Sequence, residues 1–287
     1  MAKHRYAMDE QKIARFLKEK RGEGEKANYR PFLTIQDVPS HGLSSRVLGR
    51  RTGRLHHVLS KLERAVILIY DWDDATDDLR EQFPLERDET RWIARKMGVK
   101  HPKDPKTGVD IVMTTDVVVT VARDATKFLL ARAVKPVKDL NANVRVLEKL
   151  EIERRYWEAR RVAWAVITEL DISAVRVSNL EWLAEMRSLD LMVAPHAHYW
   201  HDRCQQFLHA LARAQGASMR WLSEQLEQQY GFRVGEALTV LRHLASNKRL
   251  AYDLERPFDI KAPANVFQIV SDAVASAGVT SNERRAA

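Results

Sequence analysis

Three side chains of this sequence have the types needed to hydrolyse a phosphodiester bond, namely Glu63, Asp116 and Lys135. Two carboxylates can hold Mg²⁺, which keeps several of its waters and contacts phosphate oxygens. A bound metal lowers the pKa of one water, and a lysine can orient or deprotonate that water or neutralise charge on the phosphate. If the fold brings the three residues together, they predict a metal-dependent nuclease.

Asp116 and Lys135 fall on the two arms of a predicted β-hairpin. Residues 111–122, IVMTTDVVVTVA, are dense in β-branched types and predict a strand. Residues 127–135, KFLLARAVK, predict the returning strand, which Pro136 ends because proline cannot donate to a sheet.

The position of the turn determines whether the two side chains meet. A turn centred between Asp124 and Ala125 places Asp116 opposite Ala133, so that Asp116 and Lys135 lie diagonally apart on one face. An aspartate among valines is costly to bury unless a lysine or a cation offsets its charge. The alternative interpretation is an ordinary Asp–Lys pair on a half-exposed sheet.

Glu63 belongs to a predicted amphipathic helix over residues 54–70. At 100° per residue it lies at the margin of the apolar stripe, on the same side as His56, from where a carboxylate can reach a neighbouring sheet. The stripe consists of apolar residues at three- and four-residue steps: Leu55, Leu59, Leu62, Val66 and Ile69.

The order of elements predicts two domains, at residues 1–170 and 171–287. The first contains helix, strand, strand, strand, helix and strand, a mixed α/β domain with a central sheet flanked by helices. Its last helix is capped by Asn141 or Asn143 and runs to about residue 160, before a strand at 162–169.

The second predicted domain is mostly helical. Helices at 218–230 and 234–247, a strand at 250–254 and a loop at 255–263 follow one another as in a winged helix. Residues 277–287 resemble a frayed tail. The basic side chains of this region face either phosphates or only solvent: Arg233, Arg242, His243, Lys248 and Arg249.

Charge and composition favour a polyanionic partner. The chain has 47 Lys and Arg against 39 Asp and Glu, a formal net charge of +8, which attracts nucleic acid or an anionic membrane surface. No apolar run is long enough to cross a bilayer, and the charged N-terminus is unlike a signal peptide. With the lone Cys204, these features predict a cytoplasmic protein without disulfides.

Three further groups have open interpretations. His56 could contact phosphate or water beside Glu63. Arg80 and Gln82 share one face of a predicted strand at 79–85 and either line a DNA groove or form a solvent-facing edge. The histidines of HAHYWHD lack the acidic partner of a zinc protease motif and are expected to be core or surface residues.

Seven segments in order give the sequence a resemblance to a known family. It resembles the TnsA family, the endonuclease subunits of transposons whose transposase is divided between two proteins. The segments span about half of the chain: YRPFLTIQDVPSHGLSSR (29–46), TGRLHHVLSKLERAV (52–66), LREQFPL (79–85), GVKHP (98–102), VMTTD (112–116), AVKP (133–136) and EKLEIERRYW (148–157).

The resemblance implies a restriction-endonuclease-like fold and a role for each site residue. Glu63 and Asp116 match the family's metal-binding acids, and Lys135 matches its catalytic lysine. Members of this fold group often have Glu or Gln two residues before the lysine, where this chain has Ala133. The backbone carbonyl of Val134 remains as a third metal ligand, with Mg²⁺ expected and Mn²⁺ able to substitute.

The resemblance also implies partners. TnsA-like proteins cut the 5′ ends of a bacterial transposon on double-stranded DNA, while a TnsB-like DDE transposase cuts and joins the 3′ ends. The C-terminal domain is expected to contact a TnsC-like AAA+ regulator and DNA. Two alternatives remain: a DNA-binding adaptor without activity, and a decayed nuclease, suggested by Ala133, that serves as a scaffold.

Overall fold

The computed structural model describes residues 6–39, 44–124, 126–214 and 216–270. The chain forms two compact units, Met1–Ile172 and Ser173–Ala287. Within the described ranges, every helix is too short or too polar to traverse a bilayer. The tail predicted at 277–287 lies outside the described residues.

The first unit is built on a four-stranded mixed sheet, which confirms the predicted α/β architecture. The strand order is β3–β4–β5–β6, in which β4 is antiparallel to both β3 and β5, and β6 is parallel to β5. In chain order the unit contains α1 (Glu10–Lys18), β1 (Ser45–Leu48), β2 (Leu55–Val58), α2 (Lys61–Trp72), β3 (Thr76–Pro84), α3 (Arg87–Met97), β4 (Thr114–Arg123), β5 (Thr126–Val134), α4 (Val137–Ala142), α5 (Val144–Ala159) and β6 (Ala163–Ile167).

Helices cover both faces of this sheet. Ala131 and Arg132 are neighbours on β5, so their side chains point to opposite faces. Ala131 packs in an apolar cluster with Ile93 of α3 and Ile152 of α5. Arg132 donates from Nε to Tyr70 Oη of α2 over 2.9 Å. Therefore α2 lies on one face, and α3 and α5 lie on the other.

The hairpin formed by β4 and β5 has the register predicted from the sequence. Val117 pairs with Arg132, and Arg123 pairs with Thr126 at the turn. Continuing this register by one residue places Asp116 opposite Ala133. The strand boundaries differ from the prediction by up to three residues, since β4 begins at Thr114.

The predicted helix over residues 54–70 is wrong in its first part. Residues 55–58 form β2, which pairs antiparallel with β1 in a two-stranded sheet. The helix begins only at Lys61. Its N-cap is Ser60, whose side chain accepts a hydrogen bond from Glu63 N. A serine cap starts a helix strongly, and Leu55, which the helical pattern placed inward, is half exposed on β2.

The second unit is helical, with one short two-stranded sheet. Leu222, Leu226 and Leu241 are buried at its core. The predicted helix at 218–230 and its successor are present, whereas the strand after them is shorter than predicted. The elements are α6 (Ala174–Ala184), α7 (Tyr199–Arg213), α8 (Met219–Tyr230), α9 (Glu236–Ser246), β7 (Leu250–Ala251) and β8 (Gln268–Ile269).

Candidate active site

The candidate site lies where one end of the sheet meets the start of α2. The end of β3, the start of β4 and the end of β5 lie at this same end of the sheet. Asp116 is the third residue of β4, and Lys135 directly follows β5. The backbone of Lys135 is fixed because its N–H donates to Ile167 O at the end of β6 over 3.0 Å.

Asp116 and Lys135 form a direct ion pair, as their strand positions predicted. Lys135 Nζ lies 2.7 Å from Asp116 Oδ2 and donates to the Val134 carbonyl over 3.0 Å. The Val134 N–H also donates to Asp116 Oδ2, over 2.7 Å. Burial opposes the lysine's charge, but the adjacent Asp116 carboxylate outweighs it and raises the pKa of Lys135. Lys135 therefore remains a cation.

Glu63 joins this pair from the first turn of α2. Its carboxylate accepts hydrogen bonds from Leu59 N and Ser60 Oγ, each over 3.0 Å. The side chain is almost fully buried. Burial and, next, the negative charge of Asp116 raise the pKa of Glu63 to about 7. The two carboxylates therefore share one electrostatic environment, although they come from different elements.

Gln82 is a site residue whose role the sequence did not indicate. It lies on β3, and its Nε2 donates to Glu63 Oε2 over 3.4 Å. Its Oε1 accepts from Thr114 Oγ1 over 3.0 Å. The side chain is buried, so the solvent-facing interpretation of this position is wrong. Its backbone has a φ of 48°, which no side-chain pattern reveals.

Glu153 of α5 is a second residue that sequence reasoning missed. Its Oε1 accepts from Thr115 Oγ1 over 2.8 Å and from Trp164 Nε1 over 3.1 Å. Burial and then the charge of Asp116 raise its pKa to about 7. A signal was present, because Leu150, Glu153 and Trp157 share the inward stripe of the helix.

The donor set suits a hard divalent cation. Asp116 Oδ1 makes no hydrogen bond to any described residue, so it can face a cation while Oδ2 is held. Glu63, Asp116 and the Val134 carbonyl would supply only oxygen, which Mg²⁺ prefers, and two protein carboxylates suffice because Mg²⁺ keeps several waters. Among the described residues, no cluster of three His, Cys, Asp or Glu could hold a metal.

His56 does not belong to this site. It lies on β2, fully buried, with Nδ1 2.8 Å from Glu81 Oε2 and Nε2 2.9 Å from Thr52 Oγ1. Arg54 donates to both oxygens of Glu81. The possible phosphate contact of His56 is therefore wrong, and these residues instead fasten the β1–β2 hairpin to β3.

Two of the basic residues considered for DNA binding make contacts with other residues of the second unit. Arg242 donates to the Trp182 carbonyl and pairs with Glu185. His243 Nδ1 lies 3.1 Å from the Met186 carbonyl. These contacts give both side chains a structural role in joining α9 to α6 and the residues after it.

Comparisons with known proteins identify the family of the chain. Residues 73–169 match the family described as TnsA-like endonuclease N terminal, and residues 171–254 match TnsA endonuclease C terminal. The chain is 37% identical over 258 residues to the transposon Tn7 transposition protein TnsA of Escherichia coli, covering 90% of this chain and 91% of the relative.

Proposed function

Because this chain belongs to the TnsA endonuclease family, we propose that it is a Mg²⁺-dependent DNA endonuclease that cuts the 5′ ends of a transposon. The observation that carries the proposal is the Asp116–Lys135 ion pair beside a buried Glu63, whose pKa is raised by burial and then by the Asp116 charge. Lys135 offsets only part of the negative charge of these two acidic groups, and a bound divalent cation would supply the rest.

Each residue has a distinct role in this proposal. Glu63, Asp116 and the Val134 carbonyl hold the cation, for which Mn²⁺ can substitute. When bound, Mg²⁺ would lower the pKa of a water and offset phosphate charge. Lys135 keeps a proton on Nζ, so it stabilises the developing charge or orients the water through a hydrogen bond. Asp116 Oδ2 and the Val134 carbonyl fix the position of that ammonium group.

The proposed setting is a cut-and-paste transposase complex. The relative's name ties that protein to Tn7 transposition, and the same setting is proposed for this chain. The first unit would adopt a restriction-endonuclease-like fold and bind double-stranded DNA at the transposon ends. A TnsB-like DDE transposase would act on the 3′ ends. The second unit would form a winged helix from α8, α9, β7 and β8, and it would contact a TnsC-like AAA+ regulator and DNA.

The test is strand-specific cleavage of transposon-end DNA by the full chain with its transposase partner. Asp116→Asn should remove 5′-strand cleavage while 3′ cleavage by the partner continues. Asp139→Asn is the matched control, because Asp139 is exposed on α4. Undiminished 5′ cleavage by Asp116→Asn would refute the assignment.

A scaffold without nuclease activity is the second candidate. Ala133, two residues before Lys135, is fully buried and has no side-chain ligand to offer, which favours weakened metal binding. Crystals soaked in Mn²⁺ and measured by anomalous scattering distinguish the two. A manganese peak between Glu63 and Asp116 supports the nuclease, whereas no peak supports the scaffold.

A further inference from the structure

We propose that Gln82 is a positioning residue that holds the Glu63 carboxylate in place for the cation and the reaction. This inference rests on the proposed function. Phe32 N donates to the backbone carbonyl of Gln82 over 3.2 Å and holds the main chain. Two contacts hold the side-chain amide: Gln82 Nε2 donates to Glu63 Oε2, and Thr114 Oγ1 donates to Gln82 Oε1. The amide therefore has a fixed orientation in which only its NH₂ group faces the glutamate.

The backbone of Gln82 is the first argument for this role. Its φ of 48° is in the left-handed region, which costs free energy for any residue with a Cβ. The other described non-glycine residues with positive φ lie at turns or helix ends, whereas Gln82 lies inside β3. Strain of this kind persists where the surrounding structure requires it, and it is concentrated at functional sites.

The pairing of β3 with β4 is interrupted at Gln82. Glu81 pairs with Val117 and Phe83 pairs with Thr115, in one continuous register. Gln82 therefore stands beside Asp116 without a ladder pair of its own. From this position its side chain reaches Glu63 in the first turn of α2.

The chemistry of the amide is the second argument. Asp116 has two neighbours across the sheet, Gln82 on β3 and Ala133 on β5, and alanine offers no polar group. A carboxylate at position 82 would add a third negative charge to a site that already holds Glu63 and Asp116. A neutral donor can orient Glu63 without competing for the cation, as hydrogen-bonding partners of metal ligands do elsewhere.

The substitution Gln82→Gly separates this positioning role from a purely structural one. Gln82→Gly removes the amide but suits the left-handed backbone, so the folded protein should melt at the wild-type temperature or above it. Gln82→Met removes the amide while keeping the length of the side chain. Gln225→Met, in α8 of the second unit, is the matched control.

Mn²⁺ affinity of the full chain without DNA is the primary readout, measured by electron paramagnetic resonance. Both Gln82 variants should bind Mn²⁺ about 10-fold more weakly, within the range known for partners of metal ligands. In cleavage with the transposase partner, kcat should fall while KM for DNA is unchanged. Thr114→Val, which frees the amide to rotate, should give a smaller loss in the same direction.

The outcomes separate this inference from the proposed function. Wild-type Mn²⁺ affinity and kcat in both Gln82→Gly and Gln82→Met would overturn the role of Gln82 and leave the nuclease proposal standing. A loss in Gln82→Met alone would point to packing and would also overturn it. A wild-type chain that neither binds Mn²⁺ nor cuts with its partner would overturn both.

Discussion

Replacing Glu63 by glutamine should stabilise the folded protein while abolishing cleavage. The pKa of Glu63 is raised from 4.5 to about 7 by burial and by the charge of Asp116. A carboxyl group with a raised folded pKa keeps its proton when the unfolded chain has lost it. The free energy of unfolding therefore falls as pH rises from about 4.5 to about 7, and it stays low above that.

The size of the effect follows from that interval. Each pH unit between the two pKa values changes the free energy by about 1.4 kcal/mol, so the ionised Glu63 costs about 3 kcal/mol at neutral pH and above. Glutamine keeps one oxygen to accept from Leu59 N but cannot satisfy every partner of the carboxylate. We therefore expect Glu63→Gln to gain about 2 kcal/mol near pH 8 and almost nothing near pH 4.5.

Urea unfolding of both proteins across this pH range, without divalent metal, provides the measurement. The difference between variant and wild type is needed because His57 and His101 have lowered pKa values and give the opposite slope below about pH 6.5. Glu224→Gln, at an exposed position of α8, is the control. A difference that does not grow with pH would refute the electrostatic reasoning, and Mn²⁺ should stabilise only the wild type.

Three further changes test the packing around the site and the second unit. Arg54→Met leaves Glu81 buried without its cation and should cost about 3–5 kcal/mol in urea unfolding; a cost under about 1 kcal/mol would contradict the buried pair. The lowered pKa of Glu81, about 2, means that this stabilisation is lost as pH falls from 4.5 toward 2, so acid titration of the variant should be flatter. Ser60→Ala removes the N-cap of α2 and should lower the free energy of unfolding by about 1 kcal/mol. An unchanged urea midpoint would show that the Ser60 side chain does not stabilise the start of α2. Leu226→Ala opens a cavity at a fully buried position of α8 and should lower the free energy of unfolding by about 2–5 kcal/mol. Wild-type stability would show that the neighbouring side chains move in and fill the cavity.

Much of the site could be predicted because the regular pairing of a β-hairpin determines which residues of its two strands lie opposite each other. Once the turn is placed at Asp124, strand pairing leaves no freedom for Asp116 and Lys135, and their ion pair follows. The cap of α5 at Asn143 was similarly local, since its side chain accepts from Arg145 N. These features depend on residues close in sequence or joined by a regular ladder.

The remaining features depend on contacts that no local pattern contains. The apolar steps around Leu55 fit a helix, but Glu81 on β3 binds Arg54 and His56, and residues 55–58 form a strand beside it. The left-handed backbone of Gln82 follows from its surroundings rather than from its residue type. Long-range partners therefore explain both the error at 54–60 and the unpredicted contact of Gln82 with Glu63.

The cap of α2 links the ion to the start of a helix. The Glu63 carboxylate that is proposed to hold Mg²⁺ also accepts the Leu59 N–H and the Ser60 hydroxyl. A bound cation would draw electron density from those oxygens and weaken both hydrogen bonds, so binding of the ion would loosen the junction between β2 and α2. Faster hydrogen exchange of the Leu59 amide would thus report binding of the ion at Glu63 more directly than a cleavage assay does.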